Sequence, residues 1–326
     1  MKAMTRDRYG PADVLGLEDV AVPVVGEGEV LVRVHAAGAG PDVWHQMTGR
    51  PYLARLMGMG LRKPKDRGVG RDVAGIVEAA GKDVTGLEPG DEVFGVCRGA
   101  FAEYASARAD EIAPKPANLT FEQAAAVPVS GCAALHGLRD AGGIQAGHKV
   151  MIVGASGGVG TFAVQLAKAL GAEVTGVCSR TKVEMVHSIG ADHVIDYTQE
   201  DFADGTRRYD LILDTAGRRS LQRLRRALTP HGTLVIVGGE GGGRWLGGFQ
   251  RMILWAPLLS LFVGQKLRGL VSTERREDLL FLKELIEAGK VMPVVSKTYP
   301  LGEAPKALSD ADEGHGRGKV VISMKR

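Results

Sequence analysis

Apolar residues along this chain follow two different periods. In the first hundred residues they alternate: Val30-Leu-Val-Arg-Val-His-Ala36 and Asp72-Val-Ala-Gly-Ile-Val-Glu-Ala79 read as strands, and Pro89-Gly-Asp-Glu-Val-Phe-Gly95 reads as a turn feeding a third. A compact, mostly antiparallel β domain is expected there. Residues 38–70, between the first two strands, form a long irregular stretch carrying Trp44, His45, Tyr52 and the basic string from Arg62 to Arg67. Loops of that length inside compact domains are commonly functional. From Val150 the period changes. Short apolar runs at 150–153, 173–177, 193–197, 209–214 and 233–237 alternate with helical spacing such as that of Thr161 to Leu170. Such alternation builds a doubly wound parallel sheet with helices on both faces, and ligands bind at the carboxyl ends of its strands.

Ala113-Pro-Lys-Pro-Ala117 looks like a linker, and Thr120 with Gln123 three residues later forms a capping box that opens a helix. A boundary is placed there. The expected organisation is a first domain over 1–122, an α/β domain over 123–268, and a return to the first domain over 269–326. In that tail Arg276 to Ala288 reads as a helix stopped by Gly289, and Val320 to Ile322 as a closing strand.

Composition narrows the function classes. Of 326 residues, 44% are apolar and 24% charged, and the net charge of +3 is too small to argue for nucleic acid. Arg218-Arg-Ser-Leu-Gln-Arg-Leu-Arg-Arg226 is basic, but Leu221, Leu224 and Leu228 recur at helical spacing, so a solvated helix face is expected rather than an RNA site. Cys97, Cys132 and Cys178 are widely spaced without a C-x-x-C pair and read as reduced thiols. No secretory h-region opens the chain, and the longest apolar run, Met252 to Val263, is shorter than the ~20 residues of a membrane span. A cytoplasmic protein with no stable membrane insertion is expected. The run at 252–263, with 244–249 before it, is expected to roof an apolar pocket or cover a subunit interface.

The chemistry concentrates in His148-Lys-Val-Met-Ile-Val-Gly-Ala-Ser-Gly-Gly-Val-Gly160, a strand, a glycine turn and the start of a helix. Glycine lets the backbone bend tightly and leaves room for a diphosphate on the helix amides. Gly154, Ser156, Gly157, Gly158, Val159 and Gly160 are the expected cradle. About 20 residues on, an acidic residue would bind the ribose hydroxyls of NAD. Here the strand ends instead in Cys178-Ser-Arg-Thr-Lys182, a hydroxyl and two cations suited to the extra phosphate of NADPH.

Taken in order, Arg8-Tyr-Gly-Pro-Ala-Asp-Val-Leu15, Pro89 to Gly95, Gly99-Ala-Phe-Ala-Glu-Tyr104, Ala124-Ala-Ala-Val-Pro128, Gly154 to Gly160, Gly190-Ala-Asp-His-Val-Ile-Asp-Tyr197 and Gly318-Lys-Val-Val-Ile322 are specific. The chain resembles, end to end, the zinc-independent quinone oxidoreductase branch of the medium-chain dehydrogenase/reductase superfamily. That resemblance implies a GroES-like catalytic domain split around a Rossmann domain, and a homodimer. It implies NADPH held by Ser179, Arg180, Lys182, Tyr197, Gly238, Gly239 and Lys319. It also implies hydride transfer to an apolar quinone or α,β-unsaturated carbonyl, with Tyr52 as the preferred proton donor; His45 and Arg71 are weaker candidates, and Arg71 is expected to pair with an acidic neighbour. Zinc-dependent relatives carry a cysteine in the first catalytic loop and a Gly-His-Glu motif after it. Gly38 to His45 has no cysteine and the second motif reads Gly70-Arg71-Asp72, so no metal is expected. Two departures stand out: Gly40 where relatives usually have Asn, and Ala133 where they often have Thr. They keep open a weakly catalytic NADPH-binding or RNA-binding protein, and the basic string Arg62 to Arg67, which could meet a coenzyme A phosphate, keeps open an enoyl-thioester reductase.

Overall fold

The structure, a computed structural model, describes residues 1–238, 245, 255–312 and 317–324. Contacts divide the chain into two units: Met1–Cys132, Glu274–Ala288 and Pro293–Arg326 form one, and Ala133–Thr273 with Gly289–Met292 form the other.

The first unit is β-rich. Strands β1 (Lys2–Thr5) and β2 (Gly16–Asp19) pair antiparallel. Seven further strands make one sheet: β3 (Glu29–Ala39), β4 (Asp72–Ala80), β5 (Glu92–Val96), β6 (Tyr104–Arg108), β7 (Ile112–Pro114), β14 (Val295–Pro300) and β15 (Lys319–Ser323). Their order is β14-β15-β3-β4-β5-β7, with β6 also on β3, and every pairing except β14 with β15 is antiparallel. The alternation in β3 sends Val30, Val32 and Val34 into a core shared with Val73, Val77, Phe101 and Ile112. Burying one face of a strand in this way fixes its register, because a slip of one residue would turn all three valines outward.

The second unit is a six-stranded parallel sheet: β8 (Lys149–Val153), β9 (Glu173–Cys178), β10 (His193–Asp196), β11 (Tyr209–Asp214), β12 (Leu228–Ile236) and β13 (Lys266–Gly269). The order β10-β9-β8-β11-β12-β13 reverses between β8 and β11, the doubly wound arrangement in which a dinucleotide lies across the switch point. Strands covered on both faces need continuous apolar runs, and Val150 to Val153 are at most 3% exposed.

The first boundary falls later than expected, after Cys132 rather than 122. The capping box forms as read, with Thr120 accepting from the Gln123 amide, but this segment is tied to the first unit because the Val129 amide donates to Asp72 at 2.8 Å. The second boundary lies at 273 rather than 268, and 289–292 returns to the α/β unit, where Gln165 bonds both the amide and the carbonyl of Met292. The arginine-rich helix is shorter than its leucine spacing suggested. It spans Leu221–Arg226 and buries Leu224, whereas Leu228 already opens β12.

Candidate functional site

Gly154 has φ +84, which only glycine adopts without strain, and a Cβ there would stand 2.6 Å from Thr215 Oγ1. A Cβ on Gly160 would lie 2.1 Å from the Gly154 carbonyl oxygen, so that glycine lets the helix pack onto the turn. Gly157 differs from both. It caps the helix Gly158–Ala169 without any side-chain hydrogen bond to the first turn, and a Cβ on it meets nothing closer than 3.5 Å. The leading amides of Gly158, Val159 and Gly160 therefore present a positive, side-chain-free end suited to a diphosphate. Ser156 beside them is 7% exposed.

At the end of β9, Ser179 caps a short 3₁₀ turn, Arg180–Lys182, with Ser179 and Lys182 half-buried and Arg180 exposed. Asp196, paired with Cys178 across β10 and β9, accepts from the amide and hydroxyl of Thr198. Burial, with Asp196 adding to it and Lys182 opposing, pushes the Cys178 thiol up to about 11. It is a protonated packing group, not a nucleophile. Tyr197 is 47% exposed, and the Arg219 guanidinium lies 5.0 Å from its ring centre. The sequence reading had given Arg219 to a solvated helix face; it precedes the Ser220 cap and so lies outside that helix, which was the available signal. Gly238 follows β12, and a Cβ on it would lie 2.4 Å from the Thr215 carbonyl oxygen. Gly239 lies outside the described residues, as do 240–244 and 246–254.

The first unit holds a buried charge cluster that the sequence did not reveal. Lys319, expected on the cofactor, is 3% exposed, with Nζ 2.8 Å from Oδ2 of Asp72, which is 0% exposed. The contact is an ion pair off the line of a good hydrogen bond. Nζ also donates to Ser130 Oγ at 3.3 Å. Arg71 pairs with an acidic neighbour as expected, Glu274 at 2.5 Å. Asp42 adds a third carboxylate whose two oxygens are buried without a hydrogen-bond donor among the described residues. Gly40 explains how the lysine fits: a Cβ there would lie 2.7 Å from both Lys319 Nζ and Asp42 Oδ1. Three carboxylates thus lie with two cations in this cluster. Burial raises Asp72 and Glu274 against the pull of Lys319 and Arg71. For Lys319, burial lowers the ammonium, but Asp72 and Asp42 more than offset it and leave it raised.

His45 lies in the helix Pro41–Thr48 and Tyr52 opens the short helix Tyr52–Ala54, so the stretch read as irregular over 38–70 is partly helical. His45 Nδ1 is 2.7 Å from the Arg50 carbonyl oxygen, so Nδ1 carries a proton and donates it there. Tyr52 is half-buried under Arg55, whose guanidinium carbon is 4.6 Å from its ring centre and 4.1 Å from that of Tyr9. Of the basic string, Arg67 is engaged by Asp7 and Glu18, while Arg62, Lys63 and Lys65 are exposed.

Trp255, Leu258, Leu261 and Phe262 are 50–78% exposed around the helix Ala256–Ser260. Among the described residues no helix is long and apolar enough to cross a membrane. Among the same residues no three His, Cys, Asp or Glu side chains are grouped to hold a metal ion.

Residues 26–117 match the family model of the alcohol dehydrogenase GroES-like domain, 189–322 that of zinc-binding dehydrogenase, and 136–218 that of the alanine dehydrogenase/PNT C-terminal domain. The mouse NAD(P)H oxidoreductase RTN4IP1, mitochondrial, is 33% identical over 99% of this chain and 89% of its own length. The tomato 2-methylene-furan-3-one reductase is 32% identical over 99% and 79%. Among solved structures, the quinone oxidoreductase from Coxiella burnetii superposes with a TM-score of 0.85 at 29% identity, covering 100% of this chain and 99% of its own.

Proposed function

Because the chain belongs to the medium-chain dehydrogenase/reductase superfamily, we propose that it is a zinc-independent, NADPH-dependent oxidoreductase reducing a quinone or an α,β-unsaturated carbonyl, as a cytoplasmic homodimer. Bound NADPH would supply hydride from C4 of its nicotinamide. The amides of Gly158, Val159 and Gly160 hold the diphosphate. Ser179, Arg180 and Lys182 take the adenosine phosphate by charge-assisted hydrogen bonds, which are stronger than neutral ones. Tyr197 lies along the adenosine, and Gly238 lets the ring approach β12. Tyr52 and His45 are the candidate donors to the substrate, because hydrogen bonds must stabilise the oxyanion that hydride addition creates. The zinc-free reading is supported by Arg71 and Asp72, which stand at the second ligand motif of zinc enzymes and are engaged by Glu274 and Lys319. The substrate class is supported by relatives named for quinone and furanone reduction.

One observation carries the coenzyme choice: β9 is followed by a hydroxyl and two cations where an NAD site needs a carboxylate. A fluorescence titration tests it. NADPH should bind at least about tenfold more tightly than NADH, and replacing Arg180 and Lys182 by Ala should remove that preference while sparing NADH. Equal affinities in the unaltered protein would refute the assignment.

A further inference from the structure

The helix Pro128–Leu135 runs into a single π-helical stretch, His136–Ala141, a feature that often marks functional positions. His136 opens it. Its residue is 8% exposed, Nδ1 is 2.9 Å from Ser272 Oγ, and Nε2 is 3.9 Å from Asp140 Oδ2. The Asp140 side chain is 50% exposed. Ser272 lies three residues beyond the carboxyl end of β13. At Gly137 a Cβ would stand 2.7 Å from Leu213 Cδ1 and 3.5 Å from Val237 Cγ2, so this turn packs over the ends of β11 and β12. The imidazole thus connects a solvent-exposed carboxylate to a hydroxyl at the ligand-binding edge of the sheet. That edge lies on the side of the switch point opposite Ser179 and Tyr197, where the nicotinamide half of a dinucleotide belongs.

We propose that His136 and Ser272 relay a solvent proton from the Asp140 side to the anion left by hydride transfer. The relay rests on the reductase reading above. Hydride addition places two electrons and one hydrogen on the acceptor, oxidises NADPH to NADP⁺ and leaves an enolate or hydroquinone anion. The Ser272 O–H bond then breaks as its proton bonds to that anion. Ser272 Oγ takes the proton from His136 Nδ1, and Nε2 takes one from water beside Asp140, the 3.9 Å gap being one that a bridging water spans. One solvent proton is consumed per turnover, and exchange with solvent restores the starting tautomer. Charged groups on the same turn are Asp140 and Arg139, and Arg268 on β13 donates to the Ala141 carbonyl at the end of that turn. Ser272 touches the reacting anion; His136 acts through it.

The test uses the full chain and its Ser272→Ala, Ser272→Thr, His136→Gln and Tyr52→Phe variants, with an enone substrate. Reduction with NADPH deuterated at C4 reads the hydride step, and reduction with unlabelled NADPH in D₂O reads the proton step. The relay predicts that Ser272→Ala and His136→Gln lower kcat about a hundredfold, the usual scale for a positioned proton donor. They should also lose stereospecific deuteron delivery yet still transfer the C4 label, and Ser272→Thr should recover most of the loss. In the cofactor-free protein, nitrogen NMR of His136 should show an Nδ1–H tautomer that Ser272→Ala shifts. Stereospecific deuteron delivery surviving in Ser272→Ala, or lost in Tyr52→Phe alone, would overturn the proposal. So would an Nε2–H tautomer indifferent to Ser272. If no C4 label reaches any product, the reductase reading fails, and the tautomer measurement still decides whether the His136–Ser272 link exists.

Discussion

Replacing Lys319 by Met keeps the aliphatic stem and removes the charge, which isolates the buried ion pair. The lysine is 3% exposed, its partner Asp72 is 0% exposed, and the next carboxylate, Asp42, already has buried oxygens without a donor. Removing the ammonium therefore leaves two carboxylates in low dielectric with Arg71 as the remaining neighbouring cation. Breaking one side of a buried pair costs about 3–5 kcal/mol. At roughly 2–4 °C per kcal/mol for a domain of this class, the melting temperature should fall by about 6–20 °C. The pH dependence has a definite sign. Burial already raises Asp72, and losing Lys319 raises it further, so the native variant binds more protons than its unfolded chain above the ordinary carboxylate range. Its stability falls as pH rises through that window, and its deficit against the unaltered protein should narrow on acidification from pH 7 towards pH 4. Urea denaturation across that range, with Asp72→Asn and the double variant alongside, completes a cycle. The double variant should be less destabilised than the two single losses added together. A Lys319→Met protein within about 1 kcal/mol of the original at pH 7, or strictly additive losses, would refute the charge argument.

Two further predictions concern glycines. Gly157→Ala should fold with a near-normal melting temperature, since its Cβ meets nothing closer than 3.5 Å, yet bind NADPH at least about tenfold more weakly because that Cβ enters the diphosphate seat; unchanged affinity would move the diphosphate elsewhere. Gly40→Asn, restoring the residue usual in relatives, should cost about 1–3 kcal/mol, because its Cβ would stand 2.7 Å from Lys319 Nζ. Combining it with Lys319→Met should recover part of that loss in thermal melts, and failure to do so would mean that the lysine is not what excludes the side chain.

What was legible in the sequence was local. The alternation of Val30 to Ala36 is β3, the Thr120 and Gln123 spacing is a real capping box, and the glycine turn after Val153 opens a helix as read. Each rests on residues within a few positions of one another, where periodicity and capping act. Features that depend on distant partners were not legible. The Val129 amide reaches Asp72 and ties 123–132 to the β-rich unit, and Lys319 meets Asp72 because β15 lies beside β3. Arg219 looked solvated because nothing in its neighbourhood in sequence announces Tyr197. The link between His136 and Ser272 spans 136 residues and is equally silent in either segment.

The same distances carry a consequence for folding. Asp72 and Arg71 come from the first segment of the β-rich unit, and their counter-charges, Lys319 and Glu274, come from segments that follow the main body of the α/β unit, Ala133–Thr273. Until those segments arrive, burying Asp72 leaves a carboxylate with the Val129 amide as its hydrogen-bond donor and no lysine opposite. A buried unpaired charge costs several kcal/mol, comparable to the whole stability of a small domain. The strands β3 to β7 therefore have a correct local pattern but an incomplete interior, and β15, pairing with β3 along Ala36 to Ala39, brings the missing ammonium and the missing strand in one step. The α/β unit carries no such debt to the tail beyond the short return at 289–292. It should acquire protection from hydrogen exchange during refolding before β3 and β4 do, since closing the long loop to β15 is slow and β3 gains its buried counter-charge only when that loop closes.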